Sequence, residues 1–256
     1  MSGLQLREQR DVGALFRDAL AVFFSHAWLF IALSAAVVVP TELIVEGVGL
    51  GMLTGSYDSS PSLAEGLVPT LAGLLVVTPI ISAICIYALH QIAAGERPPT
   101  GEVFVSGFEA FTPLFAAVAL AVVGIVAGLL LLVVPGVYLL VRWYFVPQTV
   151  VIEGARRAGA LSRSSQLTQG FWWRTFGLVL LANIAIAIPG LLLITPFTAI
   201  ASSSDRAVWE VVGAAVTTSV TAPFVALFST LLYYDLRARA GSPSGAGQGG
   251  DLTPRP

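Results

Sequence analysis

The stretch Pro135–Gln148, PGVYLLVRWYFVPQ, is apolar enough to lie in lipid except for one charged residue, Arg142. An arginine at the centre of a bilayer helix costs about 3 kcal/mol on insertion scales. The rest of the chain has the same character, because apolar residues make up 56% and charged residues 11% of the 256. An average soluble domain has about 25% charged residues. The composition is therefore typical of an integral membrane protein.

Six stretches of the chain are long and apolar enough, or nearly so, to cross a hydrocarbon core as a helix. They are residues 27–48, 67–92, 111–134, 137–152, 171–194 and 207–234. The fourth is short, and Pro135–Gly136 joins it to the third almost without a loop, which predicts a tight helical hairpin. The sequence predicts an all-α membrane protein with six transmembrane helices in one domain, residues 1–239. Residues 240–256, rich in Gly, Pro and Ser, are expected to form a disordered cytoplasmic tail.

The arginines alternate between the two sides of the predicted membrane. They precede the first stretch, follow the second, lie between the fourth and fifth, and follow the sixth. Residues 49–66 contain no basic residue, and Asp205 and Arg206, of opposite charge, lie between the fifth and sixth stretches. Short cytoplasmic loops carry the Lys/Arg excess. We therefore expect a multi-pass protein of a bacterial inner membrane with both termini in the cytoplasm.

A short amphipathic segment precedes each odd-numbered stretch. The three apolar stripes are Val12, Phe16, Ala19 and Phe23; then Phe104, Phe108 and Phe111; then Ala160, Ser164, Leu167 and Phe171. This spacing predicts helices that lie in the cytoplasmic membrane interface. Each segment with its two following stretches would form one of three helix-hairpin repeats. Compositional likeness among apolar helices is the alternative explanation.

The chain carries no motif for catalysis or cofactor binding. Its two histidines, His26 and His90, have no Cys, Asp or Glu cluster at metal-ligand spacing, and Cys85 is the single cysteine. Nucleophile-elbow, zinc-protease and phosphate-loop motifs are missing from the sequence. The net charge is −2, which argues against nucleic-acid binding, because a nucleic-acid-binding surface needs a basic stripe. We expect no enzyme activity, no metal, no cofactor and no nucleic-acid partner.

Ionisable residues within the predicted spans are the candidate functional residues. Arg142 lies about 9 Å below the predicted outer turn, and Glu42 about 22 Å above the start of its span, at 1.5 Å per residue. Their depths are similar, so an ion pair between Arg142 and Glu42, or failing that Glu46, is one interpretation. An arginine that binds an anionic lipid headgroup or phosphate is a second, and snorkelling to the outer surface is a third. Three further arginines are predicted to contact lipid headgroups: Arg156, Arg157 and Arg163.

The segment from Pro135 to Arg174 resembles the membrane domain fused to some bacterial glycerophosphodiester phosphodiesterases, and its free-standing multi-pass relatives of uncharacterised function. The matching positions are Pro135–Gly136, Arg142, Pro147, Glu153–Gly154, Ala160–Leu161, Ser164, Leu167–Thr168, Gly170 and Trp173. In the fused enzymes, catalysis belongs to a separate soluble barrel domain. This sequence contains neither the His-Arg-Gly motif nor the metal-binding carboxylates of that barrel. The resemblance implies a membrane module without the enzyme.

The leading functional interpretation is a non-enzymatic membrane module that organises lipid or a partner protein at the cytoplasmic face. Such a module would help a soluble enzyme reach a lipid-derived substrate. The alternative is a transporter or permease subunit for a small or amphiphilic solute, with helices broken at Pro79, Pro189 and Pro223. The sequence contains no visible inverted repeat and few midplane charges, which argues against the alternative. The expected partners are membrane lipid and a soluble or membrane protein.

Overall fold

The computed structural model of the chain describes residues 8–48, 70–96 and 100–241. All regular structure in these three ranges is helical. The helices are α1 (Val12–Ser25), α2 (Ala27–Val48), α3 (Thr78–Ala93), α4 (Thr100–Glu109), α5 (Phe111–Leu131), α6 (Val133–Arg142), α7 (Val146–Glu153), α8 (Ala158–Thr168), α9 (Trp172–Ser204) and α10 (Val208–Ala240), with a π-helical segment, Gly73–Val77, leading into α3. Of the predicted tail, only Ala240 and Gly241 lie within the described residues.

Five of the described helical segments are long and apolar enough to cross a membrane. They are Ala27–Val45, Thr70–Ala93, Phe111–Leu131, Trp172–Ser204 and Val208–Ala240. The expectation of a helical membrane-embedded protein is confirmed at this level. The predicted fourth span, residues 137–152, differs, because it is divided between α6 and α7 by a turn at residues 143–145. Pro147 gives the physical reason: it has no N–H to continue the ladder of α6, and it occupies the first turn of α7, where that loss costs nothing.

The core of the bundle is formed by α3 and the second half of α10. In α10 every residue from 226 to 236 is buried, and α3 is buried almost throughout. Helix α1 covers one side of α10, with the Phe16 and Phe228 rings 4.7 Å apart and the Phe23 and Phe224 rings 6.3 Å apart. Helix α3 and the second half of α10 are buried on all faces, because other helices of the protein surround them.

The three short amphipathic helices are present, and they differ in what their apolar stripes contact. The predicted stripe of α8 is buried within the protein at Ala160, Ser164 and Leu167. In α1 the buried face is rotated from the predicted stripe and consists of Leu15, Ala19, Val22 and Phe23, while Val12 is exposed. In α4 the buried face holds Val103 and Gly107, and the predicted Phe108 is exposed. The spacing of apolar residues therefore predicted where these helices lie in the sequence, but not which surfaces they contact.

Helices α5 and α6 form a hairpin around a close glycine contact, but Pro135–Gly136, the predicted connection, lies in the first turn of α6. A Cβ built on Gly128 would lie 3.0 Å from the Gly136 Cα, and one on Gly124 would lie 2.4 Å from the Trp143 ring. The connection is a single extended residue, Leu132. Apolar side chains from Leu130 to Val134 are 67–83% exposed at the tip. Small residues thus allow the two backbones to approach closely, as they do between membrane helices.

Candidate functional site

Charged side chains converge where the N-terminal segment, the end of α7, the start of α9 and the end of α10 meet. We call this the arginine-rich end. Its paired residues are Arg10, Arg163, Arg174, Arg237 and Arg239, with the carboxylates of Asp18, Glu153 and Asp235.

Asp235 is fully buried and is the centre of the larger of two ion clusters. The backbone N–H of Arg10 donates to its Oδ1 at 2.7 Å. Arg239, one turn later on α10, donates from Nε to both carboxylate oxygens at 3.0 Å, and Arg174 of α9 donates to Oδ2 at 3.1 Å. A buried carboxylate is tolerated here because its acceptor sites are filled by cationic and backbone donors.

The backbone of Arg10 is held from both sides by the same cluster. Its carbonyl oxygen accepts from Arg174 at 2.9 Å and from Arg239 at 2.8 Å, while its N–H is bound to Asp235. Its own side chain, 5% exposed, pairs with Asp18 of α1 at 2.8 Å. We call Arg10, Arg174, Asp235 and Arg239 the Asp235 clasp. The clasp fixes the segment before α1 to both long C-terminal helices.

The second cluster surrounds Glu153 at the end of α7. Its Oε2 accepts from Arg163 Nε at 2.8 Å, and its Oε1 accepts from the Tyr233 hydroxyl. Arg237 NH1 lies 3.9 Å from the same Oε1. Gly154, with φ of 67°, then ends the helix in the left-handed conformation that favours glycine. The chain enters the loop that carries Arg156 and Arg157, both exposed.

The arginine-rich end carries more positive than negative charge. Arg156 and Arg157 add to the five paired arginines, against three carboxylates that already accept hydrogen bonds from arginine and the exposed Glu8 and Asp11 of the segment before α1. Guanidinium groups bind phosphate and carboxylate oxygens through charge-assisted hydrogen bonds. No cluster of His, Cys, Asp and Glu within the described ranges is suited to a metal ion. The chemistry available here is anion binding.

Arg142 lies apart from both clusters, at the end of α6. Its NH1 donates to the Tyr138 hydroxyl at 2.6 Å, and its NH2 donates to the Ser165 carbonyl at 3.2 Å. Its Cζ lies 5.4 Å from the centre of the Tyr138 ring, which stacks on Trp172. Ser165 is in the last turn of α8, where carbonyls attract a cation. The arginine is therefore stabilised by a helix end and an aromatic ring.

The structure does not bring Arg142 and Glu42 together, since the described contacts of Arg142 do not include Glu42. Glu42 lines a cavity of about 300 Å³ between α2 and α10. Glu46 belongs to α2, and its side chain lies outside the described part of the chain. Equal depth does not make two residues neighbours: α6 packs on α5, α8 and α9, whereas α2 packs on α10 and α3.

Sequence reasoning missed Asp235, Arg174 and Tyr233. Asp235 follows an apolar run and precedes Arg239 by four residues, which is the spacing of a helical ion pair. That signal was available. The contact of Asp235 with Arg174 crosses 61 residues of chain, and its contact with Arg10 crosses 225, so neither has a local signature.

Comparison with known proteins gives one family. Residues 62–236 match the family described as "Domain of unknown function (DUF7847)". No curated protein and no solved structure matches the chain. The matched range includes Glu153, Arg174 and Asp235, and it excludes α1 and Arg10.

Proposed function

The chain belongs to the family described as "Domain of unknown function (DUF7847)". Since this description gives no activity, we propose a function from the geometry and charge of the arginine-rich end alone. The protein is a non-enzymatic integral membrane module whose arginine-rich end binds anionic lipid headgroups. One observation carries this proposal. Arg156 and Arg157 are exposed beside Arg163 and Arg237, which are 31% and 34% exposed, while the neighbouring Glu153 is already occupied.

The module organises lipid, and a protein partner that works on lipid, at the cytoplasmic face of a bacterial inner membrane. A relation to the membrane domain of glycerophosphodiester phosphodiesterases is part of this proposal. One position of that resemblance, Ser164, has a defined structural role in this chain. Ser164 Oγ accepts from the Phe145 N–H at 3.2 Å and donates to the Arg142 carbonyl at 2.7 Å, so it fixes the turn between α6 and α7.

We propose six crossings with both termini in the cytoplasm. The bond from the Arg10 N–H to Asp235 supports an even number, because it joins the segment before α1 to the end of α10. Glu153 contacts Tyr233, so the chain has returned to the same end after α5, α6 and α7. Helices α6 and α7 together then make the fourth crossing. The three helix-hairpin units are α1 to α3, α4 to α7, and α8 to α10.

Native mass spectrometry of the purified full chain tests the headgroup site, with titration by phosphatidylglycerol or by phosphatidylcholine. An arginine near an anionic surface contributes about 1 kcal/mol, or roughly a fivefold change in affinity. We expect Arg157→Gln to weaken phosphatidylglycerol binding about fivefold and to leave phosphatidylcholine binding unchanged. Arg206→Gln is the matched control, because Arg206 is also exposed but lies between α9 and α10 at their far ends. Equal losses in the two variants, or no preference for the anionic lipid, would refute the proposal.

A further inference from the structure

A second candidate site lies inside the bundle, in a cavity of about 260 Å³ between α3, α7 and α10. Its apolar walls include Ile81, Pro147 and Ala222, and its polar lining includes Tyr144, Gln148 and Ser229. A single water occupies about 30 Å³ of liquid. The cavity is therefore large enough for a polar headgroup and the first carbons attached to it.

Two residues that line this cavity each carry a buried polar atom with no hydrogen-bond partner among the described residues. Gln148 is 1% exposed; its Nε2 donates to Ser229 Oγ at 2.8 Å, and its Oε1 has no partner in the part of the chain that the structure describes. The hydroxyl of Tyr144 is also buried and unpaired. More than nine in ten buried polar groups in folded proteins are paired, because an unpaired one loses its hydration without compensation. Two such atoms on residues that line one cavity are the observation from which we infer a bound polar group.

The chemistry of the lining defines that group. Among the described residues no Arg, Asp, Glu or His lines the cavity, so a charged headgroup would be buried there without a counter-ion. Gln148 Oε1 can only accept a hydrogen bond, whereas the Tyr144 hydroxyl can donate or accept. An alcohol satisfies both at once, since one hydroxyl donates to the amide oxygen and accepts from the phenol.

We propose that the cavity binds a neutral amphiphile through a free hydroxyl, with a diacylglycerol as the representative class. The hydroxyl pairs with Gln148 and Tyr144, and the adjoining carbons contact Ile81, Pro147 and Ala222. This inference is independent of the headgroup site, because none of the arginines of that site is among the residues that line the cavity. A negative result for the cavity therefore does not affect the proposed headgroup site, and the reverse also holds.

The probes are three octanoyl glycerolipids added to the full chain in detergent. Dioctanoylglycerol has the free hydroxyl, trioctanoylglycerol has it esterified, and dioctanoyl phosphatidic acid replaces it with a charged phosphate. At a concentration one hundred times Kd, we expect dioctanoylglycerol to raise the melting temperature by about 5–11 °C. The other two should give a shift near zero. Absence of a shift with dioctanoylglycerol, or an equal shift with trioctanoylglycerol, overturns the proposal. Absence of a shift is the result expected if the cavity holds only water.

Three variants test the assigned residues. Tyr144→Phe and Gln148→Met each remove one hydrogen bond to the probe, which should weaken binding about 2- to 13-fold. Ala222→Leu narrows the cavity while keeping both polar side chains, and it should abolish the shift. Thr217→Val is the matched control, because the Thr217 hydroxyl is also buried and unpaired but does not line this cavity. Unchanged binding in both Tyr144→Phe and Ala222→Leu, with folding verified by the melting transition without probe, overturns the proposal.

Discussion

Replacement of Asp235 by alanine should destabilise the protein more than any exposed charge change. The substitution removes a fully buried carboxylate and leaves Arg174 and Arg239 without it, together with the N–H of Arg10. Breaking a buried ion pair by removing one partner costs about 3–5 kcal/mol. The two arginines are each 26% exposed, so water recovers part of their hydration and we expect about 3–4 kcal/mol.

That loss corresponds to a fall of about 6–16 °C in melting temperature, at 2–4 °C per kcal/mol for a chain of this size. The assay is thermal unfolding of the full chain in detergent. Glu210→Ala is the matched control, since Glu210 is an exposed carboxylate in the first turn of the same helix. It should shift the melting temperature by less than about 4 °C, because an exposed charge near a helix N-terminus contributes about 0.3–1 kcal/mol.

A double-mutant cycle separates the clasp from general damage to α10. Asp235→Ala combined with Arg174→Ala should cost less than the sum of the two, by about 0.5–3 kcal/mol, because the double variant leaves one unpaired arginine fewer. Asp235→Asn keeps the shape and should cost less than Asp235→Ala. Additivity within experimental error, or a shift for Asp235→Ala no larger than for Glu210→Ala, would show that the clasp does not stabilise the fold.

Two further predictions concern the hairpin and the topology. Gly136→Ala should destabilise the protein by about 1–3 kcal/mol, because the new Cβ would lie 2.4 Å from the Leu129 side chain and 2.7 Å from its backbone nitrogen. Gly177→Ala, a helical glycine with no atom within 4 Å of the new Cβ, should be neutral or stabilising, and equal melting temperatures for the two would contradict the hairpin packing. A membrane-impermeant thiol reagent should label a cysteine at Ser203, but not one at Ala158, from outside intact cells, while the native Cys85 is buried and should not react. Labelling at Ala158 from outside would reverse the proposed orientation.

The long helices could be predicted because hydropathy is a local property that needs no knowledge of neighbours. The division of the fourth stretch was missed for the same reason. A hydropathy window over residues 137–152 averages across Pro147, whereas the backbone responds to the missing N–H at that residue. The sequence contained the signal, but the apolar character of the stretch masked it.

The partners of the amphipathic helices could not be predicted from their period. An apolar stripe is equally compatible with lipid and with another apolar helix. Phe16 and Phe23 pack against apolar side chains of α10, so nothing in the local pattern of α1 distinguishes the two environments. Amphipathicity predicts that a face is covered, not what covers it.

The sequence analysis selected Arg156, Arg157 and Arg163, and their contact with lipid headgroups stays a prediction. In the structure the first two are exposed and the third pairs with Glu153. The predicted pairing of Arg142 with Glu42 relied on residue counts along two helices, which give height but not direction around the bundle. Arg142 contacts Ser165, 23 residues away, because α8 and not α2 lies beside α6.

The Asp235 clasp has a consequence for the order in which the chain is assembled. The bond between Arg10 and Asp235 spans 225 residues, so its carboxylate is made about 11–45 s after its N–H at ribosomal rates of 5–20 residues per second. Throughout that interval α1 lacks both the clasp and the second half of α10, on which its buried face packs. The N-terminal helix is consequently among the last elements to dock. A chain that stops before α10 leaves the apolar face of α1 uncovered, where chaperones and proteases can recognise it. Formation of the Asp235 clasp is thus the step that docks α1 onto α10 after synthesis.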